Sequence, residues 1–104
     1  MEKILIMTLG LILIFSGCSA PNVGSERAKE LCVSKCREIL KNHQNLSDGP
    51  CLSNEIIKDW VCDVAHYPRI EKDDFPQNQC ENFRNGAAHH FVEVDSECNL
   101  IRVY

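Results

Sequence analysis

Ser25-Glu26-Arg27-Ala28-Lys29-Glu30-Leu31-Cys32-Val33-Ser34-Lys35-Cys36-Arg37-Glu38-Ile39-Leu40-Lys41-Asn42 is the stretch on which the fold turns. It holds neither Gly nor Pro and is rich in good helix formers. Ser25 is placed to cap a helix, with Glu26 favourably set in the first turn. At about 100° per residue, Ala28, Leu31, Cys32, Cys36, Ile39 and Leu40 gather on one face, and Arg27, Glu30, Arg37, Glu38 and Lys41 lie opposite. The spacing therefore predicts an amphipathic helix from Glu26 to about Asn42 that buries two cysteines one turn apart.

Beyond the helix, Ser47-Asp48-Gly49-Pro50 reads as a turn. Cys51 to Ile57 has no decisive period, and Ser53 or Asn54 would suit the cap of one short helical turn. Lys58 to His66 alternates, with Trp60, Cys62 and Val64 on one side and Asp59 and Asp63 on the other, which predicts a strand. Tyr67-Pro68-Arg69 ends it, and Glu71 to Gly86 reads as a long loop pinned by Cys80. Ala88 to Val94 and Leu100 to Tyr104 are β-prone runs around Asp95-Ser96-Glu97-Cys98-Asn99, a hairpin. Helix followed by three strands predicts one α+β domain over residues 26–104, its helix packed on a small antiparallel three-stranded sheet. This order is similar to cystatin-like folds. Phe91-Val92-Glu93-Val94-Asp95 with Leu100-Ile101-Arg102-Val103 resembles the terminal hairpin of PepSY-type modules. The resemblance implies that an exposed sheet face, or the 67–86 loop, meets a partner protein or small ligand.

The N-terminus carries an address rather than fold. Lys3 precedes an apolar run, Ile4 to Phe15, interrupted only by Thr8 and Gly10. At about 1.5 Å per residue this run covers about 18 Å as a helix, short of the roughly 30 Å hydrocarbon core. Residues 1–17 therefore read as an export signal. Phe15-Ser16-Gly17-Cys18 resembles the lipobox of prokaryotic lipoprotein precursors, with Phe15 where Leu is usual. The resemblance implies cleavage before Cys18 and a diacylglyceryl group on its thiol. Two acyl chains hold a protein firmly at ~0.8 kcal/mol per buried CH₂. Residues 18–25, broken by Pro21 and Gly24, then form a flexible tether. The expected location is the extracytoplasmic face of a prokaryotic membrane.

With Cys18 set apart, six of the seven cysteines remain in the body, a disulfide framework for an exported chain. A body this short buries only ~60–65% of its unfolded surface and gains from such staples. Cβ vectors one helical turn apart run nearly parallel, so Cys32 and Cys36 are not expected to bond to each other. Several pairings remain, of which Cys32–Cys62, Cys36–Cys51 and Cys80–Cys98 are the expected set. The alternative is metal or thiol-redox chemistry using Cys32, Cys36 and His43, which share a helical face.

The chain carries 11 Lys and Arg against 15 Asp and Glu, a formal net charge of −4, with no basic cluster. Nucleic acid is therefore not an expected partner, and the lipid rather than surface charge is the expected link to membrane. No catalytic motif is present and no cofactor is implied. His89 and His90 would point to opposite faces of a strand. Glu71, Asp73 and Asp74 read as solvated turn residues. Tyr67, Arg69 and Phe75, beside Pro68 and Pro76, form the candidate binding surface, and Trp60 is assigned to the core beneath the helix. The expectation is a lipid-anchored envelope module that binds a protein or small ligand.

Overall fold

The computed structural model describes residues 23–104. The expected signal at 1–17, Cys18 and the first part of the 18–25 tether lie outside the described residues. Helix α1 spans Val23–Lys41. It begins inside the expected tether, so Ser25 lies within its first turns rather than at the cap. A Cβ built at Gly24 would lie 3.7 Å from the Trp60 indole nitrogen, which places the first turn beside Trp60. The other end closes by a Schellman motif. Gln44 N–H donates to the Ile39 carbonyl at 3.3 Å and His43 N–H to that of Leu40 at 2.9 Å, with His43 left-handed at φ 63°. Ala28, Cys32 and Cys36 form the fully buried stripe, while Leu40 at its far end is exposed.

The sheet has four strands in the order β1-β2-β3-β4: Cys51–Ile57, Trp60–Val64, His90–Val94 and Leu100–Val103. The two outer pairings are antiparallel, but β2 and β3 run parallel, Trp60 beside His90 through to Val64 beside Val94. This corrects the expected antiparallel three-stranded sheet in strand count and direction; the α+β class and the disulfide stapling stand. Parallel neighbours need a connection long enough to return to the starting end, and residues 65–89 provide it. Such a pair is covered on both faces. Accordingly β2 is buried almost throughout, Asp63 alone being partly exposed. Trp60, Cys62, Val64, Val92 and Val94 face α1, whereas Val61 packs with Cys80, Ala88, Phe83 and Phe91 on the far side.

The crossover is not one loop but a chain of short turns: 3₁₀ segments at Glu71–Asp74 and Pro76–Asn78, then helix α2 at Glu81–Arg84. Asp73 organises it. Only 3% exposed, its carboxylate accepts the backbone N–H groups of His66 and Ile70 at 3.0 Å each and lies 2.9 Å from His66 Nδ1. The solvated-turn expectation for Asp73 is thereby corrected: its side chain satisfies the donors of the bend that follows β2.

Three disulfides join Cys32 to Cys62, Cys36 to Cys98 and Cys51 to Cys80, with Cα separations of 5.4, 5.6 and 4.9 Å. The expected Cys36–Cys51 and Cys80–Cys98 pairs do not form. Cys51 faces the side of the sheet away from α1, where Cys80 of the crossover meets it. Cys36 lies over the β3–β4 turn and finds Cys98 there. With loops of 30, 62 and 29 residues, each bond contributes about 3.5–4.5 kcal/mol in the chain-entropy account. The helix is thus tied to β2 and to the β3–β4 turn, and the crossover to the edge strand β1.

Candidate functional site

Strand register builds two rows across the far face. Val61 of β2 is beside Phe91 of β3, and Phe91 exchanges backbone hydrogen bonds with Tyr104. One step on, Asp63 of β2 is beside Glu93 of β3, which is paired with Arg102 of β4. An apolar row and a charged row therefore run side by side. The crossover rises around them and leaves a cavity of about 390 Å³, within the range of small-molecule sites. Its walls add Arg69, Gln79, Phe83 and Arg84.

The aromatic side is ordered by stacking. Phe83 meets Phe91 edge-on at 5.0 Å between centroids, and Tyr104 stacks on Phe91 at 5.3 Å. On the charged side Glu93, 5% exposed, anchors two arginines. Arg69 Nη1 donates to its Oε2 at 2.7 Å, and Arg102 Nε lies 3.5 Å from its Oε1. Arg69 also donates to Asp74 at 3.0 Å, and the Arg102 guanidinium lies 5.2 Å from the centre of the Phe91 ring. Arg84 makes no ion pair among the described residues.

Asp63 is the anomaly of the site. Its Oδ1 is buried with no hydrogen-bond partner among the described residues, where a buried polar atom ordinarily has one. Burial, reinforced by the Glu93 charge alongside, pushes its carboxyl up to about 8 against the opposing pull of Arg69. A carboxyl pushed up this far favours its protonated, hydrogen-bond-donating form beside the Glu93 side chain. The recess thus brings together a carboxylic acid, guanidinium groups and an apolar wall.

The residues singled out from the sequence are dispersed by the fold. Arg69 lines the cavity, but Tyr67 is 82% exposed and Phe75 37%, both outside its lining. Trp60 belongs to the core under α1, stacked on His90 at 4.5 Å. His89 and His90 converge after all, because both meet Asp59 of the β1–β2 turn: His89 Nδ1 at 2.6 Å from Oδ1, His90 Nε2 at 3.7 Å from Oδ2. The hydrogen bond from His89 draws the Asp59 carboxyl below its ordinary range. Cys32 and Cys36 are in disulfides, and His43 is exposed beyond the helix end. No group of three or more His, Cys, Asp or Glu among the described residues is arranged to hold a metal ion. No described helix is long and apolar enough to cross a membrane.

Asp63, Glu93, Phe83, Arg84 and Arg102 were not singled out in the sequence. One signal was present: Val-Cys-Asp-Val-Ala at 61–65 and Phe-Val-Glu-Val at 91–94 each set a lone acid inside an apolar strand. The chain matches no protein-family model, no characterised protein and no solved structure.

Proposed function

We propose that this chain is an exported, lipid-anchored binding module: Cys18 carries the anchor, the three disulfides hold the domain, and the far-face cavity takes a small ligand. The observation that carries the binding reading is the recess of about 390 Å³ itself, in which Asp63, Glu93 and three arginines stand beside Val61, Phe83 and Phe91. Three disulfides in so small a body suit an oxidising compartment outside the cytoplasm, and the lipobox-like end at Cys18 gives the anchor. The test is an amide chemical-shift titration of the full mature chain with a panel of anionic, cationic and neutral small molecules. Shifts concentrated at Val61, Asp63, Phe91 and Glu93 for at least one class support the binding site. A panel that leaves all four amides unmoved contradicts it.

A further inference from the structure

The balance of groups around the cavity selects among ligand classes. Three guanidinium groups, Arg69, Arg84 and Arg102, face it, against the floor carboxylate of Glu93, and Arg69 is paired in addition with Asp74. Glu93 is already engaged by Arg69 and Arg102, so a cationic ligand would have to displace one of them while lying beside Arg84. An anion meets no such competition: Arg84 is unpaired among the described residues, and Arg102 keeps part of its fork free. This electropositive recess stands in a chain of net charge −4, so it is a local arrangement and not a general property of the surface. Val61, Phe83 and Phe91 supply an apolar wall that a bare hydrated ion would leave unused.

We propose that the cavity binds a small organic carboxylate with a flat apolar body, its charged end held by Arg84 and Arg102 and its body against Phe83 and Phe91. The proposal rests on the binding-module reading and names the ligand class for the same site. Asp63 contributes the remaining contact. Asp63 lines the cavity beside Glu93, and as a neutral acid its carboxyl O–H donates to the ligand carboxylate. Once ionised, the same residue repels the ligand. The charged groups facing Asp63 are Glu93 from β3, Arg102 from β4, and Arg69 and Asp73 from the crossover, with Arg84 of α2 across the cavity. With the Asp63 carboxyl pushed up to about 8, the form competent to donate falls about tenfold between pH 7 and 9, and carboxylate affinity falls with it.

The test uses benzoate, benzylamine and benzyl alcohol, which share a ring and differ in charge, titrated into the full mature chain and followed at the Val61, Asp63, Phe91 and Glu93 amides. Benzoate is expected to bind best, to weaken at least fivefold in Arg84→Gln, and to weaken about tenfold from pH 7 to 9 in the wild type but not in Asp63→Asn. Tighter binding of benzylamine or benzyl alcohol overturns the anion assignment while leaving the binding-module reading intact. So does a benzoate affinity indifferent to Arg84→Gln in a variant whose amide spectrum remains folded. If all three probes fail while another member of the wider panel binds, this inference alone falls; if the entire panel fails, both fall.

Discussion

Asp63→Asn replaces a largely buried acid by a neutral side chain of nearly the same shape, and its effect on stability depends steeply on pH. The folded carboxyl holds its proton to about pH 8, whereas its ordinary value is 3.8. Between those values the folded state binds more protons than the unfolded state, so the wild type loses stability as pH rises, by about 1.4 kcal/mol per unit. From pH 5 to pH 8 the loss relative to Asp63→Asn amounts to about 3–4 kcal/mol. Asp59, Asp73 and Asp95 have carboxyls drawn below the ordinary value; they act at acid pH, equally in both proteins, and cancel in the comparison. For a domain of this size each kcal/mol moves Tm by ~4–8 °C. The gap in Tm between variant and wild type should therefore open by more than about 10 °C across this window. Non-reducing thermal and urea unfolding, followed by circular dichroism at pH 5 to 9, measures it. Parallel stability curves for the two proteins would refute the burial argument for Asp63 and, with it, the neutral acid in the cavity.

Replacing both Cys36 and Cys98 by Ser opens a loop of 62 residues and should cost about 4 kcal/mol in urea unfolding. The same change at Cys51 and Cys80, whose loop is 29 residues, should cost less, and the reverse order would contradict the chain-entropy account. Gly49→Ala places a Cβ 2.9 Å from Asp73 Oδ1 and 3.1 Å from the Val64 carbonyl, at φ +71°. A loss of about 2 kcal/mol or more is expected, and a neutral result in the same assay would show that the Gly49–Asp73 contact is not tight. His43→Gly relieves a left-handed side chain at the end of α1 and should stabilise by about 0.5–1 kcal/mol, read as a rise in the urea midpoint; a fall would count against the Schellman geometry.

The inward half of this fold is legible in the sequence because burial writes a period. Ala28, Cys32 and Cys36 mark the helix face, and Trp60, Cys62 and Val64 mark the strand face that meets it. The hairpin of β3 and β4 follows from its apolar runs and the Asp95–Asn99 turn, where the Asp95 side chain accepts the N–H groups of Glu97 and Asn99 at 2.9 Å each. Strand direction is not written in a period: alternation in β2 is the same whether β3 runs with it or against it. The clue lay in the length of the 65–89 connection and in Val61, apolar on the side assigned to solvent. Where residues 71–86 read as an open loop, Asp63 reads as an ordinary surface acid. Its importance comes from what covers it. Cys51 and Cys80 likewise meet on a face that has no layer above it in an antiparallel three-stranded sheet.

The claim that joins location to architecture is that an exported, lipid-anchored chain holds its six body cysteines as disulfides. Intact mass of the membrane-extracted protein, alkylated without reductant and again after reduction, tests it in one experiment. A chain beginning at Cys18 with a lipid-sized addition, unmodified at first and gaining alkyl groups at Cys32, Cys36, Cys51, Cys62, Cys80 and Cys98 only after reduction, is the predicted result. An unlipidated chain that still carries residues 1–17, or alkylation of body cysteines before reduction, would contradict it.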